Sequence, residues 1–358
     1  MSFLSGMRDC KKQKDYGSIM KKIKQCIKNT PLFAIPIMYF FRVIRGFYNY
    51  RYILKKCPSD QNSRIYFMDY DGSGDTYITC SYLKSKGLIG QNDCFVASGG
   101  LSLKIAELFD FGSYIKLPPK AALTVRMMER FYGGRLKFLP LLYESDYLEY
   151  SGLLRRMAGY HGLNFMRLLR VGFEANFDLP YDEIPWELPD FPHNPEEIKE
   201  IFQRYQLVPG RTVLIAPYAG KHDLWDIPIS FYEKLARRLR EEDFIVCTNS
   251  SNPRREPAIS DTIPLLVPHR LVRAFCEKAG YFIGLRSGLC DMISGARDCK
   301  KVILYGNMPI PSLTASHREF FSLNGMELCE DAVELEFGKN EQQMVIEICQ
   351  LFGKRQEE

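Results

Sequence analysis

The sequence is short of the signatures that most directly announce a chemistry. It has no G-x-x-x-x-G-K-[ST] phosphate loop, no G-x-G-x-x-G placed to open a helix and no G-x-S-x-G nucleophile elbow. Histidine is scarce, with five in 358 residues, and no H-E-x-x-H zinc motif is present. The eleven cysteines include no C-x-x-C pair, and Cys10, Cys26 and Cys57 are too far apart for a zinc knuckle. No signal peptide with a cleavage site precedes them, so they are expected to be reduced cytosolic thiols, mostly buried. The apolar run PLFAIPIMYFF, residues 31–41, is eleven residues long. A membrane-crossing helix needs about twenty.

What is present points to two soluble cores. The chain is long enough for two domains, and 46% hydrophobic with 25% charged residues fits neither disorder nor a polytopic membrane protein. The net charge of +5 conceals an asymmetry. Residues 1–57 carry thirteen Lys or Arg against Asp9 and Asp15, an excess of eleven, so the remainder is close to −6. A basic excess confined to one end argues for a surface or tail contact and against a nucleic-acid groove along the protein. Apolar and aromatic residues flanked by Arg42, Arg45, Arg51, Lys55 and Lys56 suit an interfacial segment on an anionic cytoplasmic leaflet, with Tyr48, Tyr50 and Tyr52 at headgroup depth. The alternative is an extension that packs on its own protein or on a partner subunit.

Beyond the extension, strands and helices alternate. Strands are expected at 65–68, 94–97, 114–117 and 136–139, with helices at 76–83, 101–109 and 121–131 between them. A helical stretch follows over 144–174, where nothing distinguishes His161 and Arg167 from surface residues. Five prolines within 177–195 read as a linker. Asn194 before Pro195 then resembles a helix start. The second series has strands at 212–216, 244–248, 263–267, 281–283 and 302–305. Its helices are expected at 229–239, with Ser230 as cap and Glu233 completing a capping box, at 271–278, from 289, and at 340–352. Residues 308–325 read as a long loop. This alternation predicts α/β architecture with open, mostly parallel sheets. The division expected is an extension (1–60), a first α/β unit (61–180), a linker and helix (181–208), a second α/β unit (209–338) and a closing helix and tail (339–358).

Three turns carry the chemistry. In YFIGLRSGLCDMISGA, residues 281–296, a buried strand meets a helix across Gly284 and Gly288. Such a turn aims backbone N–H groups into the crevice at the carboxyl end of a parallel sheet, where anions bind. Arg286 adds a cation and Ser287 a hydroxyl. In IAPYAGKHDLW, residues 215–225, small residues again follow a strand, and Lys221 and His222 come next. Two such turns suggest a nucleoside diphosphate site, with Asn249 and Ser250 at a neighbouring strand end lining the nucleotide pocket. The third turn, DYDGSGD at 69–75, places a carboxylate where a dinucleotide loop would approach phosphate, which favours a base or a hydroxyl ligand. Asp75 is the first candidate, with Asp71 and Asp69 in reserve. Crowded carboxylates raise at least one pKa toward neutrality.

These three places resemble the two-domain GT-B glycosyltransferases, especially the ADP-heptose:lipopolysaccharide heptosyltransferase-like family. Gly74-Asp75 matches that family's early Gly-Asp pair. Ala216-Pro217-Tyr218-Ala219-Gly220, followed by Lys221, Trp225 and Pro228, matches its second turn. Gly284-Leu285-Arg286-Ser287-Gly288 matches its late Gly-x-x-Ser-Gly element, except that Arg286 stands where an acid is usual, and Asp291, four residues beyond Ser287, could pair with Arg286 or cap the turn.

The resemblance, over roughly 64–352, implies two Rossmann-like domains facing across a cleft. It implies a nucleoside-diphosphate-sugar donor in the second domain and an acceptor in the first. Inverting transfer without metal or other cofactor is implied, with Asp75 as base and Lys221, His222, Arg286, Ser287 and Gly288 on the donor. The expected setting is bacterial surface polysaccharide synthesis by a cytoplasmic, peripheral enzyme. Its expected partners are a nucleotide sugar, a glycan or lipid-linked glycan acceptor and an anionic membrane surface, with no nucleic acid. A GT-B-fold nucleotide-sugar epimerase or hydrolase, or a non-catalytic glycan-assembly subunit, is the alternative.

Overall fold

A computed structural model describes residues 31–57, 63–68, 71–125, 128–132, 134–139, 164–177, 179, 194–219, 227–250, 254–306, 316–338 and 340–353. It contains two parallel sheets. The first orders its strands β3-β2-β1-β4, where β1 is Ile65–Met68, β2 Cys94–Ala97, β3 Ser113–Lys116 and β4 Leu136–Leu139. The second runs β10-β9-β8-β5-β6-β7, with β5 Thr212–Ala216, β6 Ile245–Asn249, β7 Ile263–Leu265, β8 Gly280–Leu285, β9 Lys300–Tyr305 and β10 Ala332–Glu336. Every pairing is parallel, Met68 standing opposite Ala97 and Leu139, and Ala216 opposite Gly284.

Apolar runs such as IYFM and TVLIA are buried along their whole length, as strands covered on both faces must be. Alternation then sorts the side chains. Tyr66 and Met68 join the core under α2 (Ser73–Ser85), whereas Ile65 and Phe67 face the other way. That opposite face is covered by the N-terminal helix α1 (Pro31–Leu54) together with α4 (Pro119–Val125). Between α2 and α4 lies α3 (Gly100–Ala106), and the short α5 (Glu129–Tyr132) precedes β4.

The sequence left open whether the extension packs on its own protein. The described part of α1 does so along one side. Tyr50 and Ile53 are fully buried, Asn49 donates to Thr124 Oγ1 at 2.7 Å, and Tyr50 stacks on Tyr132 with ring centroids 4.3 Å apart. Each buried side chain of that size contributes about 1.5–3 kcal/mol. The run PLFAIPIMYFF is helical despite its two prolines: Pro31 occupies a first-turn position where no N–H partner is lost, whereas Pro36 lies within the helix and forgoes one backbone bond.

The second domain follows the same plan, with α8 (Ile229–Glu241) and α12 (Glu341–Gly353) on one face. Three sequence expectations are corrected. Pro228, not Ser230, is the cap position of α8, and no capping box forms there. Glu233 instead accepts from Ser260. A capping box does form at Ser316 and Glu319, and it starts α11 (His317–Phe321) inside the stretch expected to be loop. Asn194 does sit at the cap of α7 (Pro195–Arg204), but without a side-chain cap bond.

Helix α6 (Phe165–Phe177) ties the halves together. Its Arg170 donates to Tyr82 Oη of the first domain at 2.9 Å and to Glu327 of the second at 2.6 Å. Asn164 donates to Gly325 O at 2.5 Å. His161 and most of the expected linker lie outside the described residues.

Candidate active site between the two sheets

Ligands of open α/β sheets bind where the strand order reverses, outside the carboxyl ends of the strands. In the first sheet that point is beside β1, and in the second it is between β5 and β8. Three segments leave those strand ends: 71–75 after β1, 217–219 after β5 and 286–291 after β8. They line one cleft of about 370 Å³, within the range of small-molecule sites.

Asp71, Gly72, Ser73, Gly74 and Asp75 form the first-domain wall, and Arg286, Ser287, Gly288 and Asp291 form the facing one. Tyr218, Asn249, Glu256, His269, His317 and Phe321 complete the second-domain side.

The cleft's floor is a backbone contact. Gly74 lies in the first turn of α2, and Gly288 begins α10 (Gly288–Ile293). A Cβ added at Gly74 would stand 2.7 Å from Gly288 Cα, and one at Gly288 would stand 2.8 Å from Gly74 Cα. Both are closer than real side chains approach, so the two glycines let the domains meet.

Asp75 is half-buried in that same first turn. Asp71 is committed elsewhere: it accepts from Ser102 N at 2.9 Å and so fastens its loop to the start of α3. Asp69, Lys221, His222 and Trp225 lie outside the described residues.

Arg286 lines the cleft but works largely within its own domain. Its Nε donates to Phe321 O, its Nη1 to Ser287 O and its Nη2 to Asp291 Oδ1, each at 2.7 Å. Three of its five N–H groups are thereby used. Both partners of the ion pair are buried, Arg286 at 5% and Asp291 at 3% exposure. Burial works against the arginine's charge, but Asp291, with Tyr305 and Cys290, more than offsets it and the guanidinium stays protonated. Burial also pushes the Asp291 carboxyl up, to about 6, against the pull of Arg286, and the nearby Asp75 charge adds to the rise.

Ser287 occupies the cap position of α10 in extended backbone. Asn249 Oδ1 accepts from Val267 N at 3.2 Å while its residue lines the cleft. Ser250 is turned inward. It is buried and its hydroxyl donates to Glu256 O at 2.5 Å, which holds the segment that presents Glu256.

Sequence reasoning passed over Glu256, His269 and His317. Burial, and the charge of Lys104 on α3, lower the His269 pKa and favour its neutral form. Its only sequence signal was a Pro-His pair after a short strand. Among the described residues, no group of three or more His, Cys, Asp or Glu is placed to hold a metal ion.

Comparison with solved structures matches this architecture. The ADP-heptose lipopolysaccharide heptosyltransferase II of E. coli superimposes with a TM-score of 0.51 at 15% identity, over 81% of this chain and 98% of that one. The chain has a GT-B-like fold. A family 9 glycosyl transferase from Veillonella parvula gives a TM-score of 0.50 at 11% identity, covering 81% of this chain and 92% of that one. No protein-family profile and no curated protein matches the chain at the level of sequence. The nine described cysteines are free, and all but Cys329 are buried.

Proposed function

We propose that this chain is an inverting, metal-independent glycosyltransferase that moves a sugar from a nucleoside-diphosphate sugar to a lipid-linked glycan acceptor at an anionic membrane surface. The observation that carries the reading is the opposition of Asp75 to the Ser287-Gly288 turn across the switch points of two parallel sheets. Asp75 takes the proton of the acceptor hydroxyl. The freed oxygen bonds to the anomeric carbon as that carbon's bond to the diphosphate breaks, and a single displacement inverts the centre.

Leaving charge collects on the diphosphate. Asp291 already balances much of the Arg286 charge, so the diphosphate falls mainly to Lys221, with His222 and the backbone N–H groups after Ser287. Asn249 stands at the nucleotide side. The natural setting of such chemistry is surface polysaccharide synthesis on the cytoplasmic side of a bacterial membrane.

Thermal unfolding in the presence of UDP, GDP, ADP, CMP and dTDP tests the donor. A ligand at a hundred times its Kd stabilises the native state by about 2.7 kcal/mol, so one nucleotide of the five is expected to raise Tm by several degrees. No shift with any of them overturns the donor assignment.

The membrane partner rests on the outer side of α1. Phe40, Tyr48 and Tyr52 recur there at four- and eight-residue spacing and are exposed, among exposed Arg45, Arg51, Lys55 and Lys56. Phe131, exposed beside Phe47, adds a further aromatic side chain next to the helix. No described helix is long and apolar enough to cross a membrane. A helix anchored on one side, with aromatics and cations on the other, suits the headgroup layer. Each cation near an anionic leaflet adds about 1 kcal/mol.

The full-length protein is expected to pellet with phosphatidylserine vesicles at low salt and to release at high salt. Substituting Phe40, Tyr48 and Tyr52 by Ser is expected to abolish pelleting without lowering Tm, since these side chains lie off the core. Pelleting that survives the triple substitution removes α1 as the docking element.

A further inference from the structure

Among the described residues, the cleft holds a buried ion pair, Arg286 with Asp291, that the transfer reaction does not use. We propose that Asp291 is a positioning residue for the base: clamped by Arg286 through one oxygen, it sets the first turn of α2 with the other and so places Asp75 against the acceptor hydroxyl. The inference rests on the reading of Asp75 as base.

One end of the arrangement is rigid. Arg286 is fixed by Phe321 O and Ser287 O, and it holds Asp291 Oδ1 at 2.7 Å. The other end crosses the domain boundary. A Cβ added at Gly74 would collide with Asp291 Oδ2, so this carboxylate oxygen lies directly against the α2 backbone one residue before Asp75. The cap residue of α2 is Gly72, which has no side chain to satisfy the helix's first N–H groups. A carboxylate at the start of this thirteen-residue helix is favoured by the exposed N–H groups and the helix dipole. Asp291 therefore brings a second carboxylate, from the other domain, against a helix start whose cap residue has no side chain. Where Asp75 stands then depends on the two domains being together.

The charges around Asp291 set the pH range in which this holds. Arg286 faces it from the end of β8, Asp75 and Tyr77 from α2, and Cys290 from its own helix. Arg273 of α9 (Val272–Ala279) acts on the same Tyr77, and Tyr305 of β9 lies behind Arg286. Burial raises the carboxyl to about 6. Above that pH Asp291 is ionised, paired with Arg286 and able to accept from the α2 turn. Below it the group protonates, the pair weakens and the α2 turn loosens. Turnover therefore has an acid limb near pH 6 that belongs to Asp291.

The test is kinetic, with nucleoside diphosphate release as the readout on the donor that the nucleotide panel identifies. Asp291→Asn is expected to lower kcat by about 10–100-fold, to leave donor KM within about threefold, and to remove the acid limb near pH 6. The double variant Arg286→Met with Asp291→Leu removes both buried charges together and guards against a folding artefact. Folded, it is expected to be as slow as Asp291→Asn.

Wild-type kcat in either folded variant, or an unchanged acid limb in Asp291→Asn, overturns the inference. Asp75→Asn separates this from the parent reading. If that variant turns over normally, the base assignment itself fails. If it is inactive while Asp291→Asn is normal, only the positioning role fails. A donor-free arm follows the aspartate carboxyls by carbon-13 NMR. The signal titrating near pH 6 in the wild type is expected to move down in Asp75→Asn, because the Asp75 charge adds to its rise, and no movement overturns the inference.

Discussion

Asp75→Asn is expected to lower turnover by about 10²–10⁴-fold while leaving nucleoside diphosphate affinity within about twofold. The amide has the shape of the carboxylate and cannot accept the acceptor's proton. Asp75 lies on the first turn of α2, half-buried, at the first-domain wall of the cleft, so its loss should not touch the donor subsite opposite.

Asp71→Asn is the contrasting variant. Asp71 spends an oxygen on Ser102 N, and weakening that bond costs about 1 kcal/mol of stability. Its turnover should fall far less than that of Asp75→Asn. Steady-state kinetics and titration calorimetry with the diphosphate decide the matter. Equal losses in the two variants would show that the loop as a whole, and not one carboxylate, matters. Unchanged turnover in Asp75→Asn would favour an epimerase, a hydrolase or a non-catalytic subunit.

The sequence made the strands legible wherever they were buried on both faces. Ile65–Met68, Cys94–Ala97 and Thr212–Ala216 are apolar or nearly apolar runs between turn residues, Leu136–Leu139 is apolar except for Lys137, and all four fall where expected. β10 was passed over because Ala332–Glu336 alternates apolar with acidic residues, as an edge strand does, and so offers no continuous apolar run. α11 was passed over because it is five residues long and only its Ser316–Glu319 box marks it.

At the site, glycine-rich turns after strands announced which segments meet, since that follows from where parallel strands end. How each polar group is spent followed only in part. Arg286 looks from the sequence like a cation for phosphate, with Asp291 close enough along the chain to pair with it; that pair forms, and two carbonyls also accept from the guanidinium. Asp291 looks like a helix residue, yet it reaches the opposite domain. These are tertiary facts. They depend on α2 and α10 arriving at one point from separate sheets, and no spacing within either segment encodes that.

Gly288→Ala is expected to lower turnover by about 10²-fold or more while the protein melts at or slightly above the wild-type temperature. Within its own domain the substitution is favourable, because replacing glycine by alanine where the backbone allows it stabilises by about 0.4–1 kcal/mol, chiefly by restricting the unfolded chain. Gly288 opens α10 without a positive φ, so its backbone does not require glycine. The requirement is steric and comes from the other domain. An alanine Cβ would collide with Gly74 N and Ser73 Oγ and stand 2.8 Å from Gly74 Cα. Neither backbone can yield without moving the turn that carries Asp75. Relief comes from separating the domains by roughly 1 Å at the cleft floor, and a displacement of that size is enough to cost about a hundredfold in rate. Gly74→Ala should do the same from the opposite side, where its Cβ would collide with Asp291 Oδ2 and stand 2.7 Å from Gly288 Cα. Thermal unfolding, small-angle scattering and turnover together read the result. A slower enzyme with an intact Tm and a slightly larger radius of gyration is expected. Wild-type turnover in Gly288→Ala would show that chemistry proceeds without the two helix starts in contact, and the opposition of Asp75 to the Ser287-Gly288 turn would then lose its place in the mechanism.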